Sequence, residues 1–207
     1  LIDIVNFQSF NRYNADVMGC TTFSFAINFS IYLSDVASDY PLATRDGHLR
    51  PAEYEGHIRR RVSPVHPYLE KTPDIWFVDQ EGRSTETVVA QAALTVTDTA
   101  DSWFVAFPDR RTVLAILRDL SSPPDESTWL PGAPRSAARN MAVGYLALAL
   151  GDRATAASHL REALEQCRGF DAKNATISKR IEKGTPAHLE RAVATLATES
   201  ALGGQSV

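Results

Sequence analysis

Residues 21–33, TTFSFAINFSIYL, alternate without a break: Phe23, Phe25, Ile27, Phe29 and Ile31 fall on one side, and Ser24, Ala26, Asn28, Ser30 and Tyr32 on the other. A period of two over this length dictates a β-strand, because successive side chains of an extended backbone point to opposite faces. A strand cannot bury five large apolar groups by itself. The chain must therefore build a sheet and lay a second layer against its phenylalanine face.

Three further stretches read as partner strands. LIDIVNFQ, residues 1–8, is rich in β-branched and aromatic residues, and its Asn6 and Gln8 share a face with Ile2 and Ile4. GHIRRRV, 56–62, places Ile58 and Val62 on one face and Arg59 and Arg61 on the other, and DIWFVDQ, 74–80, closes the set. The loop 9–20, with Asn11, Arg12, Asn14 and Asp16, is too long for a tight hairpin turn. Residues 34–55 lack periodicity, and Pro64, Pro67 and Pro73 forbid regular structure between the last two strands.

After Gly82 the period changes. Ser84 is placed as an N-cap, and Val88, Val89, Ala92, Ala93 and Val96 form the stripe of an amphipathic helix that reaches toward Ala100 and Trp103. Asp109 caps a second helix with Val113, Leu114, Leu117 and Leu120 inward. SSPPDESTWLPGAP, 121–134, reads as a proline-rich linker. Beyond it the pattern is helical: one helix over 136–150 stopped by Gly151, a second capped by Asp152 with Ala156, Leu160, Ala163, Leu164 and Cys167 inward, and a last one opened by Thr185 and Pro186 with Leu189, Ala192, Val193 and Leu196 inward. The final GGQSV should fray. The expected fold is α+β: a mostly antiparallel sheet of four or more strands packed on helices within 1–120, the linker 121–134, and an appended helical bundle over 135–202. The pattern opens inside a strand at Leu1 with no Met, so a further N-terminal segment is expected.

Composition narrows the function classes. The chain has 207 residues, 44% hydrophobic and 22% charged, with a formal net charge of -4. That balance disfavours a general nucleic-acid coat or a membrane-surface binder, both of which are normally basic. No apolar run approaches the roughly 20 residues of a membrane span. Cys20 and Cys167 lack a CxxC partner and form neither a disulfide framework nor a zinc signature, which suits a cytoplasmic protein. Lysine is confined to positions 71, 173, 179 and 183, with arginine supplying the remaining positive charge, a bias read here as that of a GC-rich bacterial genome.

Motifs exclude more than they assign. His48, His57 and His66 recur every nine residues, a spacing that brings no three imidazoles to one point, so no metal is expected. GxxxxGK[ST], GxGxxG and GxSxG are absent, and no cofactor is expected. The Arg59–Arg60–Arg61 triplet is the strongest charge feature. On a strand, Arg59 and Arg61 project together, roughly 6.5–7 Å apart. Such a pair suits a phosphate or carboxylate; it equally suits a charge-guarded edge strand with internal ion pairs. Trp76 is core or a stacking platform. Asn6, Gln8 and Asn28 form either a register-fixing amide network or, with Arg59 and Arg61, a polar ligand surface.

Two resemblances add to this. VNFQ (5–8), FSFAINFSIYL (23–33), HIRRRV (57–62) and IWF (75–77), in this order and spacing, resemble the uncharacterised bacterial family DUF4304 over about residues 1–120. The resemblance implies a fold and no catalytic residues. It also implies a helix and a strand ahead of VNFQ. Gly144, Gly151, Asp152, Ala156, Leu160 and Ala163 are similar to one tetratricopeptide-type hairpin, with Asn140 and Ala147 standing where aromatic residues are typical. An ordinary helical hairpin explains the same spacing.

The sequence thus supports a non-enzymatic binding or interaction module, meeting a protein partner through the sheet face or the C-terminal helices. The alternative is an enzyme on phosphate-containing substrates with Arg59 and Arg61 as clamps. An open sheet face with a converging carboxylate favours the enzyme; a covered face with ion-paired arginines counts against it.

Overall fold

A computed structural model describes residues 1–10, 22–38, 44–45, 47–49, 51, 56–64, 75–79, 81–119, 127–174 and 186–203. Among these, the α+β expectation holds: seven strands and five helices, with the principal sheet antiparallel. The alternating stretch is its axis. β2 (Thr22–Tyr32) pairs along its whole length with β1 (Ile2–Phe10), in a register that sets Asn6 opposite Asn28 and Gln8 opposite Ala26. Its other edge is shared. The C-terminal half pairs with β5 (Ile58–Val62) and the N-terminal half with β6 (Trp76–Asp79). Two-residue strands β3 (Thr44–Arg45) and β4 (His48–Leu49) form a separate small ladder inside the stretch expected to be irregular.

The stretch expected to be a structureless linker also supplies a strand. β7 (Thr128–Trp129) pairs with Arg59 and Arg60, so β5 is not the sheet edge that its charge pattern suggested. Two residues between prolines carry no readable period. What fixes β7 is tertiary: Thr128 is buried, and its Oγ1 accepts from the Trp103 indole Nε1 at 2.9 Å.

α1 (Thr85–Val105) lies on the β2 part of the phenylalanine face, with Ala92 and Trp103 buried; of the stripe expected inward, Val89 and Ala93 are instead exposed, and Val5 and Phe7 of β1 leave their part of that face open. Phe29 meets Trp103 and Phe104 at centroid distances of 5.8 and 5.4 Å. Trp76 is core, stacked on Phe25 and donating from Nε1 to Val62 O. The start of α1 differs from expectation. Ser84 makes no side-chain cap; its Oγ accepts from Asp79 N, while the Asp79 carboxylate accepts from the N–H groups of Arg83 and Ser84. An ionised acid is the stronger acceptor, so Asp79 takes the N–H groups of the two residues just ahead of α1 while Ser84 keeps the N-cap position without a side-chain bond. These bonds lower the Asp79 pKa to about 2, the Ser84 contacts contributing most.

α2 (Arg110–Arg118) follows, capped as expected by Asp109 accepting from Thr112 N, with Val113, Leu114 and Leu117 buried; Leu120 lies outside the described residues. α3 (Ala137–Ala149) and α4 (Arg153–Asn174) make the C-terminal hairpin. Gly151 turns it with φ +82°, a left-handed conformation that other residues adopt at a cost, and Asp152 caps α4 through Thr155 N. Gly144 lets the helices close on each other: a Cβ there would stand 2.5 Å from Leu160 Cγ. α5 (Ala187–Gly203) packs on α4 through Leu189 and Leu196. α3 packs on α2, and one continuous cluster of buried side chains runs from β2 to α5. No described helix is long and apolar enough to cross a membrane.

Candidate functional site

Register turns the amide stretch into one surface. Cross-strand partners share a face, so Ile2, Ile4, Asn6 and Gln8 of β1 lie with Ser24, Ala26, Asn28, Ser30 and Tyr32 of β2, Arg59 and Arg61 of β5, and Trp129 of β7. All five sequence-predicted site residues therefore stand together: Asn28 has Asn6 on one side and Arg61 on the other, and Ser30 has Ile4 and Arg59. Arg60 opposes Phe29 on the other face.

The surface is closed at its centre and open at its rim. Asn28 is 3% exposed and Ser30 is fully buried, while Asn6, Arg59 and Arg61 are half-buried and Gln8 is exposed. Trp129, opposite Arg59, is 50% exposed. Neither of the two forms set out from sequence, an open cleft or a helix-covered face with ion-paired arginines, describes this.

The bonding also departs from a satisfied amide network. Asn28 Oδ1 accepts from Arg61 Nε at 3.1 Å, and the amide nitrogen has no partner. Ser24 Oγ and Ser30 Oγ on the same strand are likewise buried and unpartnered. Among the described residues neither Arg59 nor Arg61 is in an ion pair. The one acid that the register puts on this face of the described strands is Asp79, and its carboxylate is occupied at the start of α1.

The histidines expected not to bind metal divide. His57 is structural: Nδ1 accepts from Leu33 N at 3.1 Å, and its ring lies against Tyr32. Burial pushes its pKa down to about 4. The side chains of His48 and His66 lie outside the described residues.

A second polar cluster, between α3 and α4, escaped sequence reasoning. Asn140 is 2% exposed on the apolar stripe of α3, and its Oδ1 lies 2.8 Å from His159 Nδ1 on α4. Gln166 Nε2 donates to Arg135 O at 2.8 Å and to Glu162 Oε1, and Asn140 Nδ2 bonds Arg135 O and Gln166 Oε1. The one available signal was Asn140 itself, an amide on the apolar stripe of a helix. The residues it meets are 19 and 26 positions away, too far for a motif.

No family model, curated protein or solved structure matches the chain.

Proposed function

We propose that this chain is a non-enzymatic binding module that takes an anionic ligand on the polar face of its sheet. The observation that supports it is the row of three buried, unpartnered polar atoms on β2, Ser24 Oγ, Asn28 Nδ2 and Ser30 Oγ, beside two arginines. A buried polar group without a partner costs on the order of 1–3 kcal/mol, so three in a row need a reason. Every one of them can donate, as can Arg59 and Arg61. A donor-rich strip suits an acceptor-rich ligand, a phosphate or carboxylate, with the guanidiniums at the accessible rim. Trp129 adds a flat apolar surface next to Arg59. The described residues offer no free carboxylate beside the arginine pair, so binding rather than acid–base chemistry is the reading stated. The likeness of residues 1–120 to DUF4304 remains part of the proposal and brings no activity with it.

The test is thermal stabilisation by nucleotides, sugar phosphates and dicarboxylates, repeated on Arg59→Ala plus Arg61→Ala. Stabilisation by at least one anion, lost in the double variant, is expected. Protection of Trp129 from acrylamide quenching should accompany it. If no anion shifts the transition, the sheet face does not bind one.

A further inference from the structure

The Asn140–His159 cluster borders a cavity of about 380 Å³ lined by Leu117, Arg118, Arg135, Asn140, His159 and Glu162. Its chemistry follows from hydrogen-bond bookkeeping. A backbone carbonyl and a carboxylate can only accept, so Gln166 Nε2, which reaches Arg135 O and Glu162, is the amide nitrogen, and Gln166 Oε1 is an acceptor. Asn140 Nδ2, facing Arg135 O and Gln166 Oε1, must then be a donor, and Asn140 Oδ1 an acceptor. The His159 Nδ1 beside it therefore carries the proton. A neutral His159 then holds its lone pair on Nε2, which has no partner among the described residues. Burial lowers the His159 pKa, the nearby Glu162 raises it and Arg118 lowers it, with a net downward direction, so the ring is neutral near pH 7.

The residues lining the cavity thus include two arginines and, on His159, one fixed hydrogen-bond acceptor. Glu162 is the single negative group in its described lining and is tied to Gln166; Asp152, whose carboxyl is held low mainly by Thr155, also feels the Arg118 charge. We propose that this cavity binds inorganic phosphate. Arg118 and Arg135 meet the charged oxygens, and His159 Nε2 accepts from the P–OH that hydrogen phosphate keeps at neutral pH. Sulfate has the same shape and charge but no proton to give. A phosphomonoester, with its second pKa near 6, has largely lost its proton as well. The site is separate from the sheet face, and neither reading depends on the other.

Isothermal titration at pH 7.5 with sodium phosphate, sulfate and methyl phosphate tests it. Phosphate should bind about tenfold or more tighter than either competitor, the effect of one added hydrogen bond to a charged group. In His159→Ala the preference should fall to within about twofold while weak binding of all three anions persists through the arginines. With the sheet-face arginines already replaced (Arg59→Ala plus Arg61→Ala), Arg118→Gln plus Arg135→Gln should remove binding of all three. Because His159→Ala also strips Asn140 of a partner, the wild-type chain supplies a second measurement: the 15N resonance of His159 Nε2 should move with phosphate and stay with sulfate. Equal affinity for phosphate and sulfate, no binding of phosphate, or a still Nε2 resonance each overturns the proposal. So does phosphate binding that survives His159→Ala with its preference intact and disappears in Arg59→Ala plus Arg61→Ala.

Discussion

Asn28 and Arg61 stand directly opposite each other across β2 and β5, and the guanidinium Nε donates to the amide oxygen at 3.1 Å. That bond uses the acceptor of Asn28 and leaves its buried nitrogen idle.

Asn28→Asp separates these two roles. The substitution keeps an acceptor for Arg61, removes the idle donor, and sets a negative charge against the guanidinium. Burying a carboxylate is costly, but this one faces the Arg61 guanidinium, and that pairing offsets the cost. The variant should fold with a melting temperature close to the parent. Its stabilisation by anions at this face should weaken, because the new carboxylate neutralises one of the two positive charges that Arg59 and Arg61 place there. A thermal-shift series in which Asn28→Asp responds to anions as the parent does would remove Arg61 from the site.

The His57 ring ties stability to pH. Its Nδ1 accepts the Leu33 N–H, which requires the neutral ring, and burial pushes its pKa from 6.5 down to about 4. The unfolded chain binds the proton first. Stability contributed by the neutral ring is therefore fully present above pH 6.5 and is lost as pH falls from 6.5 toward 4, where the native ring also protonates. The window is worth about 3 kcal/mol. His57→Gln retains an acceptor for Leu33 N and cannot titrate. Urea denaturation from pH 7 to pH 4.5 should show a steeper loss in the parent than in His57→Gln; parallel slopes would assign the acid sensitivity elsewhere.

How much of this was legible in the sequence depends on the range of the interaction that decides it. Alternation over 21–33 predicts β2 and its two faces, because the period of an extended backbone is local. The gathering of Asn6, Gln8, Asn28, Arg59 and Arg61 followed from the same alternation once register was added. The helix caps at Asp109 and Asp152 were readable for the same local reason. Ser84 was not, because its Oγ turns back to Asp79, the residue that ends β6. β7 and the Asn140–His159–Gln166 cluster depend on residues brought together only by folding. Neither leaves a spacing to recognise.

Arg139 holds the turn between β7 and α3 together. It is 5% exposed, and it donates to three carbonyls: Pro131 O at 3.2 Å, Gly132 O at 3.0 Å and Leu117 O, in the last turn of α2, at 3.3 Å. Desolvation lowers its pKa, yet a guanidinium stays charged across the accessible pH range. The three acceptors are orphans of a helix end and a loop, and no other described side chain serves them. Arg139→Met keeps the apolar stem and deletes the donors, so its cost reports the hydrogen bonds. The expected loss is about 2–4 kcal/mol by urea denaturation. Arg139→Lys should recover only part of it, because an ammonium lacks the planar fork that reaches three carbonyls. A variant as stable as the parent would show that solvent serves those carbonyls equally well.

Gly144 poses two opposing effects of similar size. Alanine in a helix interior is favoured over glycine by about 1 kcal/mol. Here, however, the added Cβ would meet Leu160 at 2.5 Å from Cγ, 2.6 Å from Cδ2 and 3.2 Å from the backbone nitrogen. The side chain of Leu160 is fully buried, so it has nowhere to turn, and the backbone nitrogen can give way only if α4 moves. Overpacking of this kind costs about 1–3 kcal/mol and exceeds the propensity gain. Gly144→Ala should therefore destabilise the chain. Leu160→Ala alone opens a cavity and costs about 2–5 kcal/mol. Combining the two puts the new methyl into the space that the leucine leaves, so the double variant should be more stable than the sum of the single losses predicts, by about 1 kcal/mol or more. Chemical denaturation of the four proteins closes the cycle. A coupling of zero would mean that the two helices do not approach closely enough at Gly144 for one methyl group to matter.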